Sequence, residues 1–325
     1  MLKRIKVRGK LLLLLATPLV AVMVFAASGI LDRQDATAFQ EREARIAELA
    51  NAGSDLSLAI QVERIRVLEV ERFAMGSDDL VAEDREATNT QFDRWLEAVA
   101  AVAGDIRSPE LLADLDDLTE RLPTSLAVDR GSDMVTSTLL ASASRAIDDT
   151  TIALRGEAAD LDLFRALTNL NELTNVQSAY ATITSVGADA IFQDQLNAVA
   201  AALISDAERA AETNTNLFKD TAARSYVEQL ERLENADIVP SPARGTADAI
   251  GDVRDYLSDS SLGGGTAWLE RGEEQLTSIN ALIDTLATDA TTSAQLAATT
   301  AREESQSFLL LAGSVAALAI VMALM

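Results

Sequence analysis

The 325-residue chain contains no cysteine and no histidine. The first absence removes disulfides, thiolate nucleophiles and thiolate-bound metals. The second removes imidazole, the usual base near neutral pH and a common metal ligand. Beyond the first ten residues the only lysine is Lys219, a bias toward arginine that we read as genomic composition. Proline is scarce, with Pro109, Pro123, Pro240 and Pro242 the four that follow Pro18. With so few breakers, alanine-rich segments whose apolar residues recur every three or four positions read as helices, and nothing suggests a sheet. Carboxylates, hydroxyls and arginines are what remain for chemistry. No nucleophile–base pair, metal-ligand set or cofactor motif can be assembled from them, so an enzyme is not expected, and neither is a cofactor.

Two long uncharged runs stand out against this background. Leu11–Ile30 is 20 residues without a charge and Phe308–Met325 is 18. A bilayer core needs about 20 apolar residues in helix, so both are expected to span a membrane. The first ten residues carry Lys3, Arg4, Lys6, Arg8 and Lys10 and no acid, which keeps that end in the cytoplasm. The division expected is a basic cytoplasmic tail at 1–10, a transmembrane helix at 11–30, an extracytoplasmic domain at 31–306 and a second transmembrane helix at 307–325. A signal peptide is the competing reading of the first run, which ends in Ala26, Ala27 and Ser28. Signal cores are usually about 7–15 residues, shorter than this one.

All 51 acids lie between the two runs, with 22 of the 27 basic residues, so that stretch has a net charge of −29. Phosphate contacts need clustered lysine and arginine, so no nucleic acid is expected as a partner, and anionic lipid surfaces are repelled as well.

Helix punctuation divides the region. The first helix is expected to leave the membrane and continue to about Met75. Gly76-Ser77-Asp78-Asp79 is a turn and cap, followed by a helix to about Ala103. Ser108-Pro109-Glu110 is a helix start, with serine as cap, proline in the first turn and an acid at the positive dipole end. That helix is expected to end near Pro123. Gly131-Ser132-Asp133 opens a helical stretch to 236, with breaks expected near Gly156 and Gly187. Residues 235–245 are a loop, and so are 258–265, which lack the Gly-Lys-Ser/Thr of a phosphate-binding loop. The last helix begins near Thr266 and runs into the second apolar run. Eight or nine helices are too many for one four-helix bundle. The fold class expected is all-α, two stacked four-helix bundles with tall first and last helices. The acidic cluster Asp114, Asp116, Asp117 and Glu120 lacks EF-hand spacing and reads as a solvated helix face. The two tryptophans and three tyrosines read as core or interface residues.

The most informative stretch outside the apolar runs is Asp55–Phe73. At about 100° per residue, Leu56, Ile60, Val67, Val70 and Ala74 share one face. Glu63 falls in the middle of that face and Arg64 at its edge. A carboxylate there needs a partner, because burying it alone costs several kcal/mol. The pair is either a structural ion pair or part of a polar site in which arginine faces an anionic ligand. Leu58, Val62 and Ile65 form a second apolar patch opposite the first, a pattern that fits a homodimer face or packing within the same chain.

The stretch LSLAIQVER, shortly after an N-terminal apolar helix containing Pro18, resembles the nitrate- and nitrite-sensing (NIT) domain of bacterial receptors, with its Leu/Gln-x-Glu-Arg motif. The similarity continues through 86–99, 164–196, 216–233 and 267–303. The resemblance implies two four-helix bundles and an anion site lined by arginines from both halves, nitrate or nitrite being the ligand. Arg64 matches the first-half arginine, and Glu63 completes the motif. In the second half, Val176-Gln177-Ser178 stands where related sequences often carry another Glu-Arg. Family members sit ahead of outputs such as a histidine kinase, a chemoreceptor tail, a cyclase or an RNA-binding antiterminator. The expected function is an extracytoplasmic sensor module of a two-span membrane receptor, working as a homodimer. The alternative is a membrane-tethered helical scaffold with no small ligand.

Overall fold

A computed structural model describes residues 7–73, 78–126, 134–236, 238–239, 248–258 and 264–324. Among them the chain is all-α, with nine helices and no strand. They are α1 Val7–Phe73, α2 Asp78–Val102, α3 Pro109–Ser125, α4 Met134–Leu154, α5 Leu161–Phe192, α6 Ala198–Thr221, α7 Arg224–Asn235, α8 Ala249–Ser258 and α9 Gly264–Leu324.

Local chemistry accounts for the boundaries. Ser108 caps α3 by accepting from the Leu111 N–H at 3.2 Å, with Pro109 at the first position. Asp160 caps α5 through the N–H groups of Asp162 and Leu163, at 2.9 and 3.0 Å. Asn197 caps α6 through those of Val199 and Ala200, at 3.0 and 2.9 Å. Each cap satisfies N–H groups that a helix start leaves without partners. Asp194, with φ of 51°, makes the reversal between α5 and α6. The Glu157 carboxylate, just past the α4 terminus, accepts from the Arg107 and Ser108 N–H groups at 2.9 and 2.7 Å and ties α4 to the start of α3.

One expected boundary is corrected. No break occurs at Gly187, which lies inside α5. A mid-helix glycine costs only about 1 kcal/mol, and here it lets the Trp268 indole of α9 pack on the α5 backbone. Helix α3 ends near Pro123 as expected, at Ser125, with the proline in its last turn. The break near Gly156 is present, as the turn after Leu154. The acidic face of α3 is solvent-exposed. The turns expected at 76–77, 131–133 and 240–245 lie outside the described residues.

The chain divides into two compact units, Met1–Ala44 with Thr292–Met325, and Arg45–Thr291. In the first, α1 and α9 run antiparallel. Arg33 donates to the Glu304 carbonyl at 3.0 Å and stacks over Phe308, 4.5 Å from its centroid. Thr37 bonds the Ala301 carbonyl at 3.2 Å, and Arg302 pairs with Glu41 at 2.6 Å. Among the described residues no helix is long and apolar enough to cross a membrane. The side chains of residues 1–23, which hold most of the first apolar run, lie outside them.

The second unit holds the core. Leu56, Ile60 and Val67 of the expected α1 stripe are fully buried, as are Trp95, Leu140, Ile147, Leu173 and Phe218. Helix α5 is buried on most of its circumference and packs against α4, α6 and α8.

Candidate functional site

Four helices of the second unit each turn one stripe toward a shared cavity of about 500 Å³. From α1 come Gln61 and Arg64. From α4 come Ala141, Ser144, Arg145 and Asp148, from α5 Asn175, Ser178 and Thr182, and from α6 Leu203, Ala207, Ala210 and Asn214. The spacings are those of residues stacked on one helix face, three, four and seven apart. Small residues on α4 and α6 leave the space, and polar groups from all four helices line it, Asp149 of α4 and Asp206 of α6 among them.

Arg64 is the most informative member. Its Nε donates to Ser137 Oγ at 3.3 Å and its Nη2 to Ser185 Oγ at 3.0 Å. Among the described residues it forms no ion pair. Burial lowers its pKa to about 10, the nearby charge of Arg145 adds to the lowering, and Asp189 opposes it. It is still a cation at neutral pH, held by exchangeable hydroxyls instead of a carboxylate. Two residues on, Arg66 is the opposite case. It bonds Glu69, Asp84 at 3.1 Å and Glu273 at 3.3 Å.

A hydrogen-bonded floor lies beside Arg64. Gln61 Nε2 donates to Ser57 Oγ at 3.3 Å and to Ser144 Oγ at 3.1 Å, and the two hydroxyls are 2.9 Å apart. Among the described residues Gln61 Oε1 is buried without a hydrogen-bond partner. Asp148 Oδ2 accepts from Ser178 Oγ at 2.7 Å. Burial raises the Asp148 pKa to about 7, although hydrogen bonds from Ser57 and Ser178 pull it down.

Glu63 and Arg64 are adjacent in sequence but turn apart. Glu63 is fully buried, as its place on the apolar stripe requires, and its partner is Arg85 of α2, Nε to Oε1 at 3.7 Å. The pair is thus split between a structural ion pair and a cavity wall. The segment Val176-Gln177-Ser178 splits too. Val176 is core. Gln177 turns to α9, reaching the Leu276 carbonyl at 3.5 Å and Asn280 at 3.3 Å. Ser178 enters the cavity. The second cation there is Arg145 of α4, which sequence reasoning missed. The polar spacing Asn175–Ser178–Thr182 on α5, which the sequence reading left unused, is the signal in the sequence for the facing wall.

A second space, of about 30 Å³, lies between α5, α6, α8 and α9 and is lined by Tyr180, Ile183, Thr184 and Trp268 among others. It has room for about one water. Trp268 Nε1 donates to the Thr184 carbonyl at 2.8 Å, and Tyr256 meets the indole edge-on at 5.4 Å between centroids. Among the described residues no group of acids is arranged to hold a metal ion.

Fold and cavity together define a class, the all-α protein with an arginine-walled polar cavity between helices. The fold is similar to that of a solved structure, the NasR transcription antiterminator. The two chains are 14% identical with a TM-score of 0.67, and the likeness covers 91% of this chain and 83% of that one. At this identity the likeness concerns the fold. No protein-family model matches the chain, and no curated protein matches it.

Proposed function

We propose that this chain is the sensor module of a signalling protein and that it takes a small planar oxyanion, of the nitrate and nitrite class, in the Arg64 cavity. The observation that carries the reading is a guanidinium on a cavity wall with serine hydroxyls, and no carboxylate, as its partners. A guanidinium fork matches a planar oxyanion with two parallel hydrogen bonds. Two further observations support it: the resemblance carried by Glu63-Arg64, and a fold like that of a transcription antiterminator, an output class found with that family. In this reading residues 11–30 and 307–325 anchor the protein in the cell membrane, 31–306 face outward, and two copies work as a homodimer. Helices α1 and α9 lead to the two anchors. An anion that bonds Arg64 more tightly in one packing of α1 against α4 and α5 favours that packing, and the displacement passes along α1.

The test is thermal unfolding of the full chain in detergent micelles with nitrate, nitrite, chloride or sulfate. A ligand at a hundredfold excess over Kd adds about 2.7 kcal/mol to the stability of the state that binds it. A nitrate- or nitrite-specific rise in Tm that vanishes in Arg64→Ala is the expected result. No shift with any anion would overturn the proposal in favour of the tethered scaffold.

A further inference from the structure

Beside Arg64 the cavity holds a carboxyl group for which an anion site has no evident use. Asp148 is 7% exposed and lines the same cavity as Arg64. Its hydrogen bonds come from hydroxyls, Ser178 of α5 at 2.7 Å and Ser57 of α1. Among the described residues no arginine or lysine pairs with it. The charged groups that share its surroundings are Arg145 and Asp149 on α4 itself, Arg64 on α1 and Asp206 on α6, while α5 supplies only hydroxyl and amide groups there. An ionised Asp148 would repel any anion seated on Arg64, since like charges in a partly desolvated space oppose each other's ionised forms. A neutral Asp148 would instead offer a hydrogen-bond donor.

We propose that Asp148 is the second binding determinant of the cavity: an anion seated on Arg64 is taken up together with one proton from solvent, which the Asp148 carboxyl group holds. This rests on the anion reading of the Arg64 cavity. The elevated pKa, about 7 and caused first by burial, supports the inference, because the proton is then available at little cost near neutral pH. The cavity selects for anions that accept a hydrogen bond from a carboxylic acid. Its affinity is flat below pH 7 and falls about tenfold per pH unit above it, until the pKa of the bound state is reached.

The experiment is calorimetric titration of the full chain with nitrate at pH 8.0 and pH 5.5, each in two buffers of different ionisation enthalpy. Nitrate does not titrate in this range, so any proton exchanged belongs to the protein. The expected result is close to one proton taken up per nitrate at pH 8.0 and almost none at pH 5.5, with binding about tenfold weaker at the higher pH. Asp148→Asn is expected to bind at both pH values with no uptake. Nitrate binding at pH 8.0 without proton uptake would overturn the inference and leave the anion site standing. Uptake that persists in Asp148→Asn would overturn it as well. No nitrate binding at either pH would overturn the anion reading and this inference with it.

Discussion

Helix α5 borders two spaces of opposite character. Toward α1, α4 and α6 it presents Asn175, Ser178 and Thr182 to a cavity of about 500 Å³ with an arginine on its wall. Toward α8 and α9 it presents Tyr180, Ile183 and Thr184 to a space of about 30 Å³ closed by Trp268. One region holds its arginine on hydroxyl partners beside open space, and the other satisfies its only indole N–H and fills its volume. The difference teaches where stability and recognition reside. Changes on the Trp268 side are expected to move folding and spare binding, and changes on the Arg64 side the reverse. Asp148 is the exception, because its buried charge couples the two.

The largest effect on stability is expected at Trp268. Trp268→Ala removes a large buried side chain, its hydrogen bond to Thr184 and its contact with Tyr256. Losses of this kind are about 3–5 kcal/mol. Urea unfolding should show this loss while nitrate affinity at pH 6 stays within about twofold. If affinity collapsed in a variant that is still folded, the division between the regions would be wrong.

Next comes Asp148→Asn. The folded protein holds the Asp148 proton up to about pH 7, and the unfolded chain releases it near 3.8. Between those values the folded state binds more protons, so the stability this group contributes is complete below about pH 3.8 and is lost as pH rises to 7. At pH 8 the wild-type chain carries the full cost of a buried carboxylate, which asparagine does not. The variant is expected to be more stable at pH 8, by up to about 4 kcal/mol on the shift between the two values. The gain should shrink steadily toward pH 4, which unfolding at four or five pH values would follow. A variant less stable than wild type at pH 8 would contradict the account.

Gly187→Ala tests the close approach that keeps α5 unbroken. A methyl group there collides with the Trp268 ring, and overpacking of this kind costs about 1–3 kcal/mol. The expected signature is a lower Tm and a shift in tryptophan fluorescence. The smallest effect belongs to Glu273→Gln. It removes one of three carboxylates around Arg66, at 3.3 Å and partly exposed, and such pairs are worth at most about 1 kcal/mol. A larger loss would mean that Arg66 organises more of the structure than its three ion pairs suggest.

Much of the fold was legible because its signals are local. The Ser108 cap, the turn at Gly156 and the α1 stripe of Leu56, Ile60 and Val67 depend on neighbours a few residues away. Gly187 was misread because the partner that makes a glycine useful there, Trp268, is far along the chain. The site was half legible for the same reason. Periodicity put Glu63 in the apolar face and required a partner for it, but could not name Arg85 on another helix. It put Arg64 at the edge of the stripe, where a side chain can face a cavity. It could not show which stripe of α4 meets α1, so Arg145 and Asp148 were missed. The polar positions Asn175, Ser178 and Thr182 were visible in the sequence. Ser178 stood out there only as part of a departure from a Glu-Arg motif.

The central claim is that Arg64, and not its neighbour Arg66, receives an anion. The direct measurement is nitrate binding by calorimetry at pH 6 to the wild-type chain, Arg64→Ala and Arg66→Ala side by side. The account predicts one site in the wild type, an affinity within about threefold of it in Arg66→Ala, and a loss of at least about a hundredfold in Arg64→Ala, as expected for removing charge-assisted hydrogen bonds. Equal binding by wild type and a folded Arg64→Ala would contradict it.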